Sequence, residues 1–127
     1  MRIYGIGTDV VNINRIKNSL KNKKFINRLF NKNEIKKCND QINKANCYAK
    51  RFAAKEAFSK AIGTGISKGI NFDEIIVYNI KSGRPGIRLL GSTKKIVNKI
   101  INKKKINIFL SLSDDKPFAV ATVVISI

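Results

Sequence analysis

A chain of 127 residues has room for one hydrophobic core but not two, and its 43% hydrophobic residues run along the whole length, which excludes a disordered or low-complexity polymer. The net charge of +18 would suit a polyanionic partner, yet Lys, Asn and Ile dominate everywhere, as a bias toward AT-rich codons would leave them, so charge alone does not indicate nucleic acid. No apolar run approaches the roughly 18 residues of a membrane span, and the start MRIYGIGTDVV lacks a long apolar core ahead of a cleavage site; we therefore expect one cytoplasmic domain over residues 1–127, with no membrane partner.

Arg2 to Ile6 reads as a first strand, broken at Gly5 and Gly7, and the alternating Asp9 to Ile13 continues it, which sets Asp9 beside a bend loosened by glycine. From Asn14 the spacing of Ile16, Leu20, Phe25, Ile26, Leu29 and Phe30 predicts helical pieces interrupted at Lys21 to Lys24, with Arg15, Lys17, Lys21, Lys24 and Arg28 outside. A short helix over Glu34 to Cys38 follows. A longer one from Lys44 to Ile62 stops at Gly63, a residue suited to the left-handed C-terminal position. The second half reads as a hairpin (Glu74 to Ile80, Gly86 to Leu90), a helix over Ser92 to Asn102, and a terminal hairpin of Ile106 to Ser113 and Phe118 to Ile127 around Asp114–Pro117. The fold class is α+β, an antiparallel sheet packed on one long helix.

There is no histidine, which excludes Ser-His, Cys-His and His-metal schemes. Catalysis must use lysines, a metal held by oxygen, or some of eight acids: Asp9, Glu34, Asp40, Glu56, Asp73, Glu74, Asp114 and Asp115. Mg²⁺, Mn²⁺ and Ca²⁺ are the ions such ligands suit. Cys38 and Cys47 lack metal-site spacing and are expected to be reduced, structural thiols.

In RFAAKEAFSKAIGTGI, Phe52, Ala53, Ala57 and Ala61 form a small apolar stripe that permits close helix approach, with Glu56 and Lys60 beside it. Those two, four residues apart, form an ordinary helical ion pair or part of a site; Gly63-Thr64-Gly65 next to them offers backbone N–H groups to an anion. Gly5-Ile6-Gly7-Thr8-Asp9 is no dinucleotide fingerprint, since a third glycine and the βαβ unit are missing. Asp9 alone is as readily a turn or helix cap.

GIGTDVVNINRI, RFAAKEAFSKAIGTGI, Gly83-Arg84-Pro85 and LSLSDDKPFAVATVVI resemble, in order and spacing, the motifs of bacterial holo-acyl-carrier-protein synthases of the 4′-phosphopantetheinyl transferase family, across essentially the whole chain. The resemblance implies an enzyme that moves 4′-phosphopantetheine from coenzyme A to a serine of apo acyl carrier protein, in support of fatty acid biosynthesis. It implies a homotrimer with active sites between subunits. It makes Asp9 and Glu56 the Mg²⁺ ligands and, with Lys60, the catalytic residues. Arg51 and Lys60 would meet coenzyme A phosphates, with Gly63, Gly65, Arg84 and Pro85 in the loops lining that site. Arg15 above all, with Lys21 and Arg28, would face an acidic carrier protein. Where many relatives have histidine this chain has Asp114, which cannot donate to a phosphate, so that contact is not carried over. An RNA-binding reading rests on the charge and on Lys103-Lys104-Lys105, but no RNA-stacking or helix-turn-helix motif supports it, and no nucleic-acid partner is expected.

Overall fold

The computed structural model describes residues 1–63, 69–103 and 105–127. In chain order the elements are β1 (Ile3–Asn12), α1 (Ile13–Ser19), α2 (Lys23–Leu29), α3 (Lys32–Asn39), α4 (Lys44–Ile62), a 3₁₀ turn (Phe72–Glu74), β2 (Ile75–Asn79), β3 (Pro85–Leu89), α5 (Gly91–Ile101), β4 (Asn107–Asp115) and β5 (Phe118–Ser126). The abundant asparagines have a structural use. Asn12, Asn22, Asn31 and Asn43 open α1 to α4, each side-chain oxygen accepting from backbone N–H groups of the first turn. Each such cap stabilises by about 1 kcal/mol. At α3 the cap is reciprocal, with the Glu34 carboxylate accepting from the Asn31 N–H at 3.0 Å.

β1, β5 and β4 form an antiparallel sheet in that order, and β2 and β3 form a separate hairpin. The α+β expectation is met, with two sheets rather than one. α4 lies on the inner face of the larger sheet, where Ala119, Ala121, Val123 and Ile125 of β5 are fully buried against its Ala53, Ala57 and Phe58. Because α1 and α3 also pack around it, and Phe72 of the 3₁₀ turn meets its Phe52 and Lys55, α4 is buried on nearly every side.

Three sequence expectations change. β1 is one strand from Ile3 to Asn12 rather than two, with a single register shift against β5 between Ile3 and Gly5. The glycines serve packing instead: a Cβ on Gly5 would fall on the Ala61 carbonyl oxygen, and one on Gly7 on that of Ala57. β4 continues through Asp114 and Asp115, paired with Ala119 and Phe118, so the final turn is shorter than the sequence suggested. Cys38 and Cys47 are joined as a disulfide rather than free, because the turn after α3 folds the start of α4 back and brings their Cα atoms to 5.4 Å. Spacing along the chain carries no trace of that reversal.

Candidate active site

Alternation along β1 points Gly5, Gly7, Asp9 and Val11 toward α4. The two glycines let the helix backbone rest on the strand, and this fixes which turn of α4 stands opposite Asp9. Lys60 reaches across rather than along its own helix: its Nζ lies 3.1 Å from Asp9 Oδ1 and donates to the Thr8 carbonyl at 2.9 Å. The helical Glu56–Lys60 ion pair read from the sequence gives way to this one. Glu56 is half-buried, and its carboxyl is pushed above the usual range by burial first and the Asp9 charge second, with Lys60 partly offsetting both.

Two acids thus repel one another beside a single lysine. They open on a cleft of 390 Å³ whose other lining residues include Asn12, Arg15, Ser19, Phe25 and Phe52. Among the described residues no group of three or more His, Cys, Asp or Glu side chains converges, so a ligand cage of the zinc type is not built here. Two convergent carboxylates, one destabilised by its neighbour, fit Mg²⁺, an ion that keeps several waters and takes one or two carboxylates along with substrate phosphate oxygens.

Arg51, nine residues before Lys60 on α4, belongs to a different place. It is 6% exposed, donates from Nη1 to Cys47 Sγ at 3.2 Å and from Nη2 to Asn79 Oδ1 at 3.3 Å, and leaves its buried Nε unpartnered. Burial draws its guanidinium down from the ordinary value, with the Glu34 charge opposing. Arg51 lines a groove of 840 Å³ with Lys37, Lys50, Lys81, Gly83 and Pro85, and no carboxylate is among the residues lining it. Asn79 ties the hairpin loop to this groove by donating to the Gly83 carbonyl at 2.9 Å. Groove and cleft share no lining residue.

The sequence-derived residues therefore divide. Asp9, Glu56 and Lys60 meet, while Arg51, Gly83 and Pro85 meet elsewhere. Arg84 is exposed and does not line the groove, since successive residues entering β3 face opposite ways and Pro85 takes the groove side. Gly63 caps α4 in the left-handed conformation, φ 90°, and Gly65 lies outside the described residues. Arg15 lines the cleft, Lys21 lines a third groove with Lys17, Leu20 and Pro117, and Arg28 is exposed on α2.

Sequence reasoning passed over Lys37, Lys50 and Lys81, which nothing distinguishes from the many other lysines before the chain is folded. It also passed over Glu34 and Lys55, a pair at 2.6 Å with 1% and 0% side-chain exposure. The one available signal was a lysine at a core-facing position of a helix otherwise lined by alanine.

A family model described as the 4′-phosphopantetheinyl transferase superfamily matches residues 5–123. The chain belongs to that superfamily. Within it, the chain is 49% identical over 125 residues to a holo-[acyl-carrier-protein] synthase of Pelagibacter ubique, with 98% of each covered. It is 44% identical over 127 residues to one of Buchnera aphidicola, with 98% of each covered. Its fold is similar to the crystal structure of the holo-[acyl-carrier-protein] synthase of Neisseria meningitidis, with a TM-score of 0.86, 34% identity, and 98% and 99% of the two chains covered. It is likewise similar to that of Bacillus anthracis in complex with CoA (3′,5′-ADP), with a TM-score of 0.80, 36% identity, and 98% and 97% covered. In this member of the superfamily, the sheet strand β1 and the long helix α4 carry the paired acids.

Proposed function

We propose that this chain is a holo-[acyl-carrier-protein] synthase: it transfers 4′-phosphopantetheine from coenzyme A to a serine of apo acyl carrier protein, releasing 3′,5′-ADP, in the cytoplasm and in support of fatty acid biosynthesis. The observation that carries this reading is the convergence of Asp9, Glu56 and Lys60 where β1 glycines admit α4, in a chain with no histidine. In the reaction the serine Oγ attacks the β-phosphorus of coenzyme A, the bond to the 3′,5′-ADP oxygen breaks with its electron pair staying on that oxygen, and the serine proton passes to water or to one of the two carboxylates. Displacement at a pyrophosphate depends mainly on positioning and on stabilising charge, which carboxylates and a lysine can provide without histidine.

Asp9 and Glu56 would hold Mg²⁺, which when bound would neutralise pyrophosphate charge. Lys60, with more than half of its side chain exposed, is free to swing from Asp9 toward an incoming phosphate and to stabilise the charge on the 5′-phosphate of the departing 3′,5′-ADP. Phe25 and Phe52 line the cleft wall and would shield the attacking hydroxyl from water. Arg15 at its rim would meet the acidic carrier. The basic groove at Arg51 would take the phosphorylated nucleotide end of coenzyme A.

We further propose a homotrimer. Two features support it: cleft and groove are separate on one chain, and the outer face of the larger sheet exposes Ile6 at 64%, Val10 at 58%, Phe109 at 51% and Phe118 at 46%, an apolar surface suited to a second copy. A neighbour's groove would then complete each cleft. Mixing Glu56→Ala with Arg51→Gln, each nearly inactive, would restore about one quarter of wild-type activity by random assembly. Mixed oligomers without recovery would place both residues in one subunit's site.

The activity itself is tested by measuring 3′,5′-ADP release. Release from coenzyme A should require both Mg²⁺ and apo carrier and should stop on chelation. Release independent of the carrier, or none at all, would overturn the reading.

A further inference from the structure

Asp114, the last residue but one of β4, does not itself line the basic groove, yet both of its side-chain partners do. Its Oδ1 lies 3.0 Å from Lys50 Nζ, and its Oδ2 accepts from Asn46 Nδ2 at 2.9 Å. Asn46 and Lys50 are one helical turn apart on α4, so one carboxylate fixes two neighbours on the same face. These bonds hold the Asp114 carboxyl below the usual range, the Asn46 donation contributing most and Lys50 next, which keeps the anchor ionised.

The consequence lies on the other side of the ion pair, where Lys50 lines the groove with 32% of its side chain exposed. Arg51, the next residue on α4, lines the same groove and leaves its buried Nε without a partner. Native proteins rarely leave buried donors unpaired, and two neighbouring cations in a groove lined by no carboxylate fit a phosphate.

We propose that Asp114 is a positioning residue for coenzyme A binding, holding Lys50 against the groove as a contact for a ligand phosphate. This rests on the reading of the groove as the coenzyme A site given above. Asp114 acts from behind the wall, and Lys50 touches the ligand.

The test is a double-mutant cycle in the full oligomeric enzyme, reading the KM for coenzyme A, kcat, and direct binding of 3′,5′-ADP. Losing one charge-assisted contact to phosphate corresponds to about a tenfold rise in KM, so Lys50→Met should raise it by about that factor while kcat moves far less. Asp114→Ala should raise KM by about threefold to tenfold in wild type, yet add almost nothing in the Lys50→Met background, because it acts through Lys50. Lys94→Met, which removes an equal charge on exposed α5, should leave KM unchanged and so separate position from net charge.

Tighter coenzyme A binding by Asp114→Ala would overturn the proposal, since the acid would then be competing with the ligand for Lys50. So would an unchanged KM in Lys50→Met, or additive effects of the two variants. Arg51→Lys separates this failure from failure of the groove itself. If Arg51→Lys raises KM while the Asp114 and Lys50 variants do not, the groove binds coenzyme A and only the positioning role is wrong. If none of the three affects KM or 3′,5′-ADP binding, the groove assignment falls too.

Discussion

Lys55 and Lys60 stand on the same helix, and each meets an acid from another element, Glu34 at 2.6 Å and Asp9 at 3.1 Å. Their surroundings separate them. Lys55 spends all three ammonium hydrogens inside the protein, on Glu34 and on the Leu29 and Phe72 carbonyls, both at 2.7 Å, and its Nζ sits 4.9 Å from the Phe30 ring centre. Glu34 is equally committed, its second oxygen accepting from the Val77 N–H at 3.1 Å. That pair joins α2, α3, the 3₁₀ turn and β2 to α4. Lys60 is 56% exposed, and Asp9 shares its field with a second acid, so the pair stands ready to be broken by a ligand. One ion pair is complete and structural; the other is incomplete and available. Burial and partner number decide the role, and identity does not.

The widest separation between the pairs should be in stability. Lys55→Met leaves Glu34 as an uncompensated buried charge and strips two carbonyls of their donor, so it should cost about 3–5 kcal/mol, read from the denaturant midpoint. Lys60→Met should cost less than about 1 kcal/mol by the same measurement, because an exposed pair contributes little. Equal losses would erase the distinction.

A smaller effect probes what the open pair is open to. If the cleft at Asp9 receives an acidic carrier past Arg15, then Arg15→Glu should raise the carrier's KM by about tenfold and leave that of coenzyme A nearly unchanged. The wild-type value should itself rise with salt. A salt-independent KM would mean that the surplus positive charge has no part in docking.

The smallest expected effect concerns an acid between the two extremes. Glu74 accepts from the Thr93 and Ser92 hydroxyls, the Thr93 N–H and Asn71, and these bonds, the Thr93 hydroxyl foremost, hold its carboxyl at about 2 against an ordinary 4.5. A lowered folded value gives stability that is present above pH 4.5 and lost as pH falls through about 2. Since the group is only partly shielded from solvent, we expect about 1 kcal/mol from Glu74→Gln at neutral pH, vanishing toward pH 2 in acid unfolding curves. A difference that persists at pH 2 would assign the effect to packing.

Much of this was legible before folding. Periodicity placed α4 at Lys44 to Ile62 and the terminal hairpin to within two residues, because apolar spacing and a terminal glycine leave few alternatives there. The motif resemblance brought Asp9, Glu56 and Lys60 to notice, and the structure brings them together. The roles of Gly5 and Gly7 were misread, because a glycine needed for helix contact and one needed for a bend look alike until the helix is docked. Glu34 pairs with a lysine 21 positions away, a relation that no local pattern encodes. Asp114 stood out only as a departure from relatives, and its partners on α4 give it a use.

The central claim is that the open pair, not the closed one, carries the chemistry. The most direct measurement is the intact mass of apo acyl carrier protein after incubation with coenzyme A, Mg²⁺ and either wild type or Asp9→Ala. Wild type should add the mass of phosphopantetheine to every carrier molecule. Asp9→Ala should fold with a nearly unchanged melting temperature and transfer at least about 100-fold more slowly, as loss of the proposed metal ligand would require. Transfer by Asp9→Ala at a rate near that of wild type would contradict the account.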